Sequence, residues 1–256
     1  MSHFERSLRS QFFLTGPRPC PYLDDRNERK LFTNLAGARA EALHDDLAVL
    51  GFRRSQNIAY RPACDSCQAC VSTRVLAAHF KPTKSQRRVL KRNADLVRRV
   101  IGPWPKDAHF RLFKSYLDAR HADGGMVDMD ALDFAAMIED SPVRTHLVEY
   151  RLAEPGDDLD DAPLLAACVT DALRDGLSLV YSFFDPALER RSLGRYVILD
   201  HIAMAASGGL PHVYLGYWVR GSAKMDYKIE FQPSELLVEG EWRAWDTAGD
   251  AGTPPR

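Results

Sequence analysis

Three cysteines fall within seven residues, Cys64-Asp65-Ser66-Cys67-Gln68-Ala69-Cys70, and a fourth, Cys20, stands far upstream in a stretch stiffened by Pro17, Pro19 and Pro21. Two-residue gaps let successive thiolates turn back onto one centre, and a remote cysteine can complete a tetrahedral or cubane set. A chain built this way must bring residue 20 to residues 64–70, which restricts the fold of its front half. Cys20, Cys64, Cys67 and Cys70 are therefore the expected metal ligands, holding a structural zinc or an iron–sulfur cluster. Free thiols or an oxidisable switch are the plainer alternatives. Five cysteines, an odd number, in a chain without an apolar leader argue against a disulfide framework. Cys168 lies in an apolar run and reads as a small core residue.

Charge divides the chain in the same place. Residues 1–110 carry 20 Lys+Arg against 10 Asp+Glu, and residues 111–256 carry 14 against 25. A basic front on an acidic back suggests that a polyanion docks at the front, the bland alternative being drift of surface charge. A helix is expected over 85–101, after Pro82 and before Gly102-Pro103. It would carry Lys84, Arg87, Arg88, Lys91, Arg92, Arg98 and Arg99 as a basic ridge able to neutralise phosphates. No apolar run approaches the roughly 18–20 residues that span a bilayer, so no membrane partner is expected and the cytoplasm is the expected compartment.

With 45% hydrophobic and 27% charged residues the chain has the composition of a folded globular protein. The stretch Gly102-Pro103-Trp104-Pro105 suggests a boundary, giving a Cys-rich basic domain over 1–103 and a second domain over 104–246. The Gly/Pro-rich end, 247–256, is expected to be a disordered tail. In the first domain a helix is expected at 38–50 and extended segments at 52–60 and 71–80. In the second, helices at 107–121 and 129–140 precede strands at 146–152, 164–173 and 177–184. A helix at 193–207 then crosses to a strand at 213–219, and an acidic loop sits at 154–161. That order makes an α/β (α+β) mixed sheet, similar to the acyltransferase (GNAT-like) fold of acetyl-CoA-dependent N-acetyltransferases.

Two segments carry the chemistry. The strand Tyr181-Ser182-Phe183-Phe184 ends at Asp185, and Arg191-Ser192-Leu193-Gly194-Arg195-Tyr196 opens the following helix. Unpaired amides at such a helix start bind anions or a developing oxyanion. The loop departs from the CoA-binding pattern Arg/Gln-x-x-Gly-x-Gly/Ala by placing Tyr196 at its last position, so no CoA is expected. Further on, aromatics interleave with cations from Tyr214 to Lys228, a texture suited to stacking on exposed bases.

Several of these pieces resemble one family. Cys20-Pro21-Tyr22-Leu23, the segment from Gly51-Phe52-Arg53-Arg54 to Tyr60-Arg61-Pro62, and the Cys64/Cys67/Cys70 run are similar to the N-terminal domain of the aminoacyl-tRNA–protein transferases. Ser182–Asp185, Ser192–Tyr196, Lys224-Met225-Asp226-Tyr227-Lys228 and Pro233-Ser234 resemble their C-terminal domain, and the short bacterial aspartate/glutamate leucyltransferase branch matches best. The resemblance implies transfer of leucine from leucyl-tRNA to acceptor proteins beginning with Asp or Glu, marking them for degradation through the N-end rule (N-degron) pathway. The activated ester needs no further cofactor. Under this reading Asp185 is a general base or ammonium anchor, or equally a plain helix cap, and the Leu193 and Gly194 amides are oxyanion donors. Arg191, Ser192, Tyr196, Lys224, Tyr227 and Lys228 would hold substrate, and Lys84, Arg87, Arg88, Lys91 and Arg92 would grip the tRNA. Arginine transfer, acetyl-CoA-dependent N-acetylation and a non-catalytic, metal-stapled RNA-binding protein remain the alternatives.

Overall fold

Strands buried almost continuously along their length, with both faces covered, build the main layer of the protein. A computed structural model describes residues 11–122, 124–154 and 156–245; the tail expected at 247–256 lies outside the described residues. In chain order the front half contains strands β1 (Phe12–Leu14), β2 (Arg18–Pro19), β3 (Asn27–Glu28) and β4 (Lys30–Asn34), helix α1 (Ala40–Val49), and strands β5 (Arg53–Ser55) and β6 (Ile58–Pro62). Strand β7 (Cys70–Leu76), helix α2 (Lys84–Arg92), strand β8 (Leu96–Ile101) and helices α3 (Asp107–Arg120) and α4 (Ala131–Glu139) follow. The remainder is β9 (Thr145–Leu152), β10 (Leu164–Leu173), β11 (Gly176–Phe184), α5 (Leu193–Ser207), β12 (His212–Val219), β13 (Ser234–Val238) and β14 (Glu241–Ala244).

Eight strands form one mixed sheet in the order β14-β13-β7-β12-β11-β10-β9-β8. Strands β9, β10 and β11 are an antiparallel meander, and α5 then carries the chain across to β12, which pairs in parallel with β11. Val148, Tyr150, Ala166 and Cys168 face the α5 side, whereas Leu147, Ala167 and Val169 face α3 and α4. Both faces are thus covered, and the α/β class read from the sequence is the one observed. Cys168 is fully buried, and burial pushes its thiol up to about 12, so it is a core residue as expected.

The expected helix over 85–101 is corrected to a shorter helix and a strand. Helix α2 starts in a capping box between Thr83 and Gln86 and stops at Asn93, whose Nδ2 donates to the carbonyls of Val89 and Arg191. Beyond it Val97, Val100 and Ile101 favour a sheet, and β8 pairs with β9 from Leu96↔Leu152 to Ile101↔Leu147. Arg98 and Arg99 therefore leave the basic ridge; they pair with Asp200 and with Glu149 and Asp160. Both β7 and β8 belong to the large sheet although they precede residue 103, and Gly102–Pro105 is the turn between β8 and α3.

A second sheet, β1-β4-β6-β5, packs with α1 around Leu35, Leu47, Phe52 and Ala59. It is locked to the large sheet by Arg54, whose Nε and Nη2 donate to the Asp171 carboxylate at 2.6 and 2.7 Å, both side chains buried. Thr145 Oγ1 donates to the same carboxylate at 2.6 Å. Among the described residues no helix is long and apolar enough to cross a membrane.

Candidate active site

Strands β11 and β12 run side by side only from Gly176↔His212 to Ser178↔Tyr214. Past that point β11 stays with β10 and β12 stays with β7, each passing through an irregularity of register. The shift in β10/β11 leaves Val180 as an extra residue, a bulge that re-aims its carbonyl. A wedge opens between the two parallel strands at their C-terminal ends.

Arg53, from β5 of the other sheet, fills the floor of this wedge. Its Nη2 donates to the carbonyls of Leu179 at 2.6 Å and Val180 at 3.3 Å. On the opposite wall the side chain lies flat on Gly216, where a Cβ would stand 1.8 Å from Nη1 and 2.4 Å from Cζ. Gly216 also has φ +80°, so both its backbone and the arginine require the missing side chain. The next residue, Tyr217, donates its hydroxyl to the carbonyls of Gly51 and Tyr60. Its carbonyl accepts from Nζ of Lys228, which lies in the 3-10 segment Ala223–Glu230 and is 6% exposed. Burial, with the Arg53 charge beside it, pulls the Lys228 ammonium down to about 7. A guanidinium and a buried lysine amine thus meet on Gly216-Tyr217, and among the described residues neither has an acidic partner within ion-pair distance.

The start of α5 lies beyond the end of β11. Asp185 Oδ1 accepts from the Ala187 amide at 2.9 Å, so the capping role is realised in the structure. Ser192 adopts φ 53°, ψ 47° and makes no side-chain cap, leaving the first-turn amides of Leu193 and Gly194 without helical partners. Gly194 sits against the Phe184 ring, 3.0 Å from where a Cβ would be. Arg191 is engaged by Asp95 through two contacts of 2.8 Å, and Tyr196 is buried edge-on against Tyr150, its hydroxyl pushed up to about 12 by burial and by Asp200. These two side chains support the loop and helix from behind. Tyr227 is half-buried with the Lys228 ammonium 5.8 Å from its ring centre, and Lys224 is exposed.

The basic helix is tied to this region rather than merely near it. Lys84, Arg87, Arg88, Lys91 and Arg92 are all exposed along α2. On its buried side Gln86 Nε2 donates to the Glu230 carbonyl at 2.8 Å and Asn93 Nδ2 to the Arg191 carbonyl at 2.9 Å. One helix therefore braces both the Lys228 segment and the entry to α5.

Cys20, Cys64, Cys67 and Cys70 line one cavity of about 320 Å³ with Tyr22, Glu28, Tyr60 and Tyr217. Burial, and then the neighbouring Cys20, Cys64 and Cys67, push the Cys70 thiol up to about 12. Thiolates around one cavity have the donor chemistry of a zinc or iron–sulfur site, because a bound cation reverses the cost of ionising them. Among the described residues no three ligand-type side chains stand at metal-holding distances.

Sequence reasoning includes Arg53, Gly216 and Tyr217 within larger segments but assigns none of them an individual role at the site. A signal was present: Arg53-Arg54 lies in a run with extended character, and consecutive arginines entering a fold are uncommon unless each has a dedicated partner.

A family profile described as "Arginine-tRNA-protein transferase, N terminus" matches residues 18–88, and its companion, "C terminus", matches residues 108–238. An aspartate/glutamate leucyltransferase of Cereibacter sphaeroides is 56% identical over 234 residues, covering 91% of this chain and 83% of the relative. One from Rhizobium etli is 56% identical over 239 residues, covering 92% and 93%. Among solved structures, FemX overlaps with a TM-score of 0.49 at 8% identity, covering 89% of this chain and 85% of FemX. The C-terminal domain of a putative lysylphosphatidylglycerol synthetase from Agrobacterium fabrum overlaps with a TM-score of 0.47 at 12% identity, covering 79% and 62%.

Proposed function

The chain belongs to the aminoacyl-tRNA–protein transferase family, on its aspartate/glutamate leucyltransferase branch, and we propose that it moves leucine from leucyl-tRNA to the N-terminal Asp or Glu of acceptor proteins. The observation that carries this reading is 56% identity sustained over 91% of the chain. The product gains an N-terminal leucine and enters the N-degron route.

The chemistry asks little beyond positioning. An ester to tRNA is already activated, and an α-amine with a pKa of about 7.7–8.0 is partly deprotonated at neutral pH. The amine nitrogen attacks the leucyl carbonyl and the carbonyl oxygen takes up negative charge. The ester C–O bond then breaks, leaving the tRNA with its terminal hydroxyl and the acceptor with a new amide. The Leu193 and Gly194 amides would face the developing oxyanion, and Asp185, half-buried at the lip of β11, would anchor the ammonium or accept its proton. Lys224, Tyr227 and Lys228 would hold the reacting ends, with Ser192 shaping the turn and Arg191 and Tyr196 bracing it. Lys84, Arg87, Arg88, Lys91 and Arg92 would neutralise tRNA phosphates. Cys20, Cys64, Cys67 and Cys70 would hold a zinc ion or iron–sulfur cluster only by drawing closer together than they stand around their cavity, and the group's part would then be to fix those loops.

A second reading, arginine as the transferred residue, is favoured by the description of the family profile. Parallel reactions with labelled leucyl-tRNA and arginyl-tRNA, offered to peptides beginning with Asp or Glu, separate the two. Transfer from arginyl-tRNA alone would replace the leucine assignment.

A further inference from the structure

We propose that the C-terminal end of α2 sets the turn at residues 192–194, with Asn93 and Asp95 as its positioning residues. This inference rests on the transfer reaction above and names the groups that hold its oxyanion donors in place. Three side chains from residues 92–95 close on two consecutive residues, Arg190 and Arg191, immediately before Ser192. Arg92 Nη1 donates to the Arg190 carbonyl, and Asn93 Nδ2 donates to the Arg191 carbonyl at 2.9 Å. The Asp95 carboxylate accepts from both Nη atoms of Arg191 at 2.8 Å. Such a half-exposed ion pair adds little stability, but a two-pronged contact fixes the orientation of the guanidinium and of the chain that bears it. Asn93 is fully buried, and while Nδ2 holds the Val89 and Arg191 carbonyls its Oδ1 has no partner. A buried orphan acceptor costs stability, so packing alone does not account for an asparagine here.

What the grip holds is a strained turn. Ser192 stands at φ 53°, ψ 47°, in the left-handed region, with no side-chain bond of its own to keep it there. A serine leaves that conformation unless its neighbours hold it, and the Leu193 and Gly194 amides would swing with it. Upstream the hold comes from residues 92–95; downstream the Phe184 ring lies against Gly194. Donors of this kind act only when they are aimed before the charge develops. Helix α2 also presents Lys84, Arg87, Arg88 and Lys91 to solvent, so the element that would meet RNA phosphates is the one that holds the turn. The reacting ester and its oxyanion donors are then both referenced to one short rigid helix.

The test uses the full-length protein and three variants: Asn93→Leu, which keeps the branched shape and removes both donations, Asp95→Ala, and the exchanged pair Asp95→Arg with Arg191→Asp. Each is assayed for transfer from labelled leucyl-tRNA to a peptide beginning with Asp, for leucyl-tRNA affinity by filter binding, and for Tm. Asn93→Leu should lower kcat about 100-fold and Asp95→Ala about 10-fold, with both KM values and the RNA affinity within about twofold of the parent. The exchanged pair should recover most of what Asp95→Ala loses, which it could not do if the Arg191 guanidinium served the substrate directly. A lowered Tm with kcat at the parent value, measured well below Tm, overturns the proposal. An effect confined to either KM, or an exchanged pair no better than Asp95→Ala, overturns it equally. Should Asn93→Leu fail to fold, Asp95→Ala decides by the same criteria, because Asp95 is exposed. If the parent transfers from arginyl-tRNA in place of leucyl-tRNA, the leucine assignment falls and the same variants decide the proposal on arginyl-tRNA. A parent that transfers from neither overturns both.

Discussion

Asp171→Leu removes the centre of the clamp between the two sheets and exposes what that clamp is worth. The carboxylate is fully buried and takes two donors from Arg54, at 2.6 and 2.7 Å, and one from Thr145 at 2.6 Å. Deleting it strands the Arg54 guanidinium, itself 4% exposed, with only the Gln56 carbonyl at 2.9 Å and Thr145 for company. Breaking a buried pair by removing one partner costs about 3–5 kcal/mol. For a chain of this size each kcal/mol lowers Tm by about 2–4 °C, so a fall of about 10 °C is expected. The partner variant Arg54→Met should fall by a similar amount. In the double variant the desolvation of both charges is relieved together, so its Tm should lie well above the sum of the two losses. Thermal melts followed by circular dichroism at one protein concentration measure all three. Single variants that melt within about 2 °C of the parent, or strictly additive losses in the double variant, would refute the reasoning.

Three further outcomes follow from named contacts. Gly216→Ala places a methyl where Arg53 lies and forces an L-residue to φ +80°, at about 1–2 kcal/mol of backbone strain, so thermal melts should show Tm lowered by at least about 2–8 °C, and an unchanged Tm would contradict the close approach of Arg53 to Gly216. Arg88→Glu and Lys91→Glu, both exposed on α2, should weaken tRNA binding and lower the slope of log affinity against log salt by about one for each phosphate no longer neutralised, with acceptor-peptide affinity unchanged. Glu149 tests the charge network under α3. Burial alone would raise its carboxyl, but hydrogen bonds from His109, Arg151 and Arg99 outweigh it and hold the group well below the usual carboxylate range. A depressed folded-state pKa stabilises the fold above the unfolded value of about 4.3 and loses that contribution as pH falls through and below it. Melts from pH 7 to pH 3 should therefore show a shallower decline in Glu149→Gln than in the parent.

Legibility in the sequence followed the strength of local signals. The long elements, α1, α3, α5 and the meander β9–β11, were readable because apolar residues persist over most of each run and its length separates helix from strand. The stretch Lys84–Ile101 was not, because its arginines mask a change of period: the apolar residues of β8 are largely β-branched, and only the Asn93 stop separates them from α2. Short strands such as β1, β4, β13 and β14 owe their form to partners distant in sequence, as in the pairing of Phe13 with Phe32. The four cysteines expected to share a metal centre do line one cavity, but among the described residues no three ligand-type side chains stand at metal-holding distances, and spacing alone does not set those distances. Arg53 could not be anticipated, since its role depends on a bulge at Val180 and a bare Gly216 that only the folded sheets bring together.

The most direct measurement incubates the purified chain with tRNA charged with labelled leucine and a peptide beginning with Asp, against the same peptide with its amine acetylated. Label should pass to the free-amine peptide and to no blocked one, with unlabelled acetyl-CoA leaving the rate unchanged. Label that stays on the tRNA, while the chain is folded and binds that tRNA at low salt, contradicts an aminoacyl transferase built on the β11–β12 wedge.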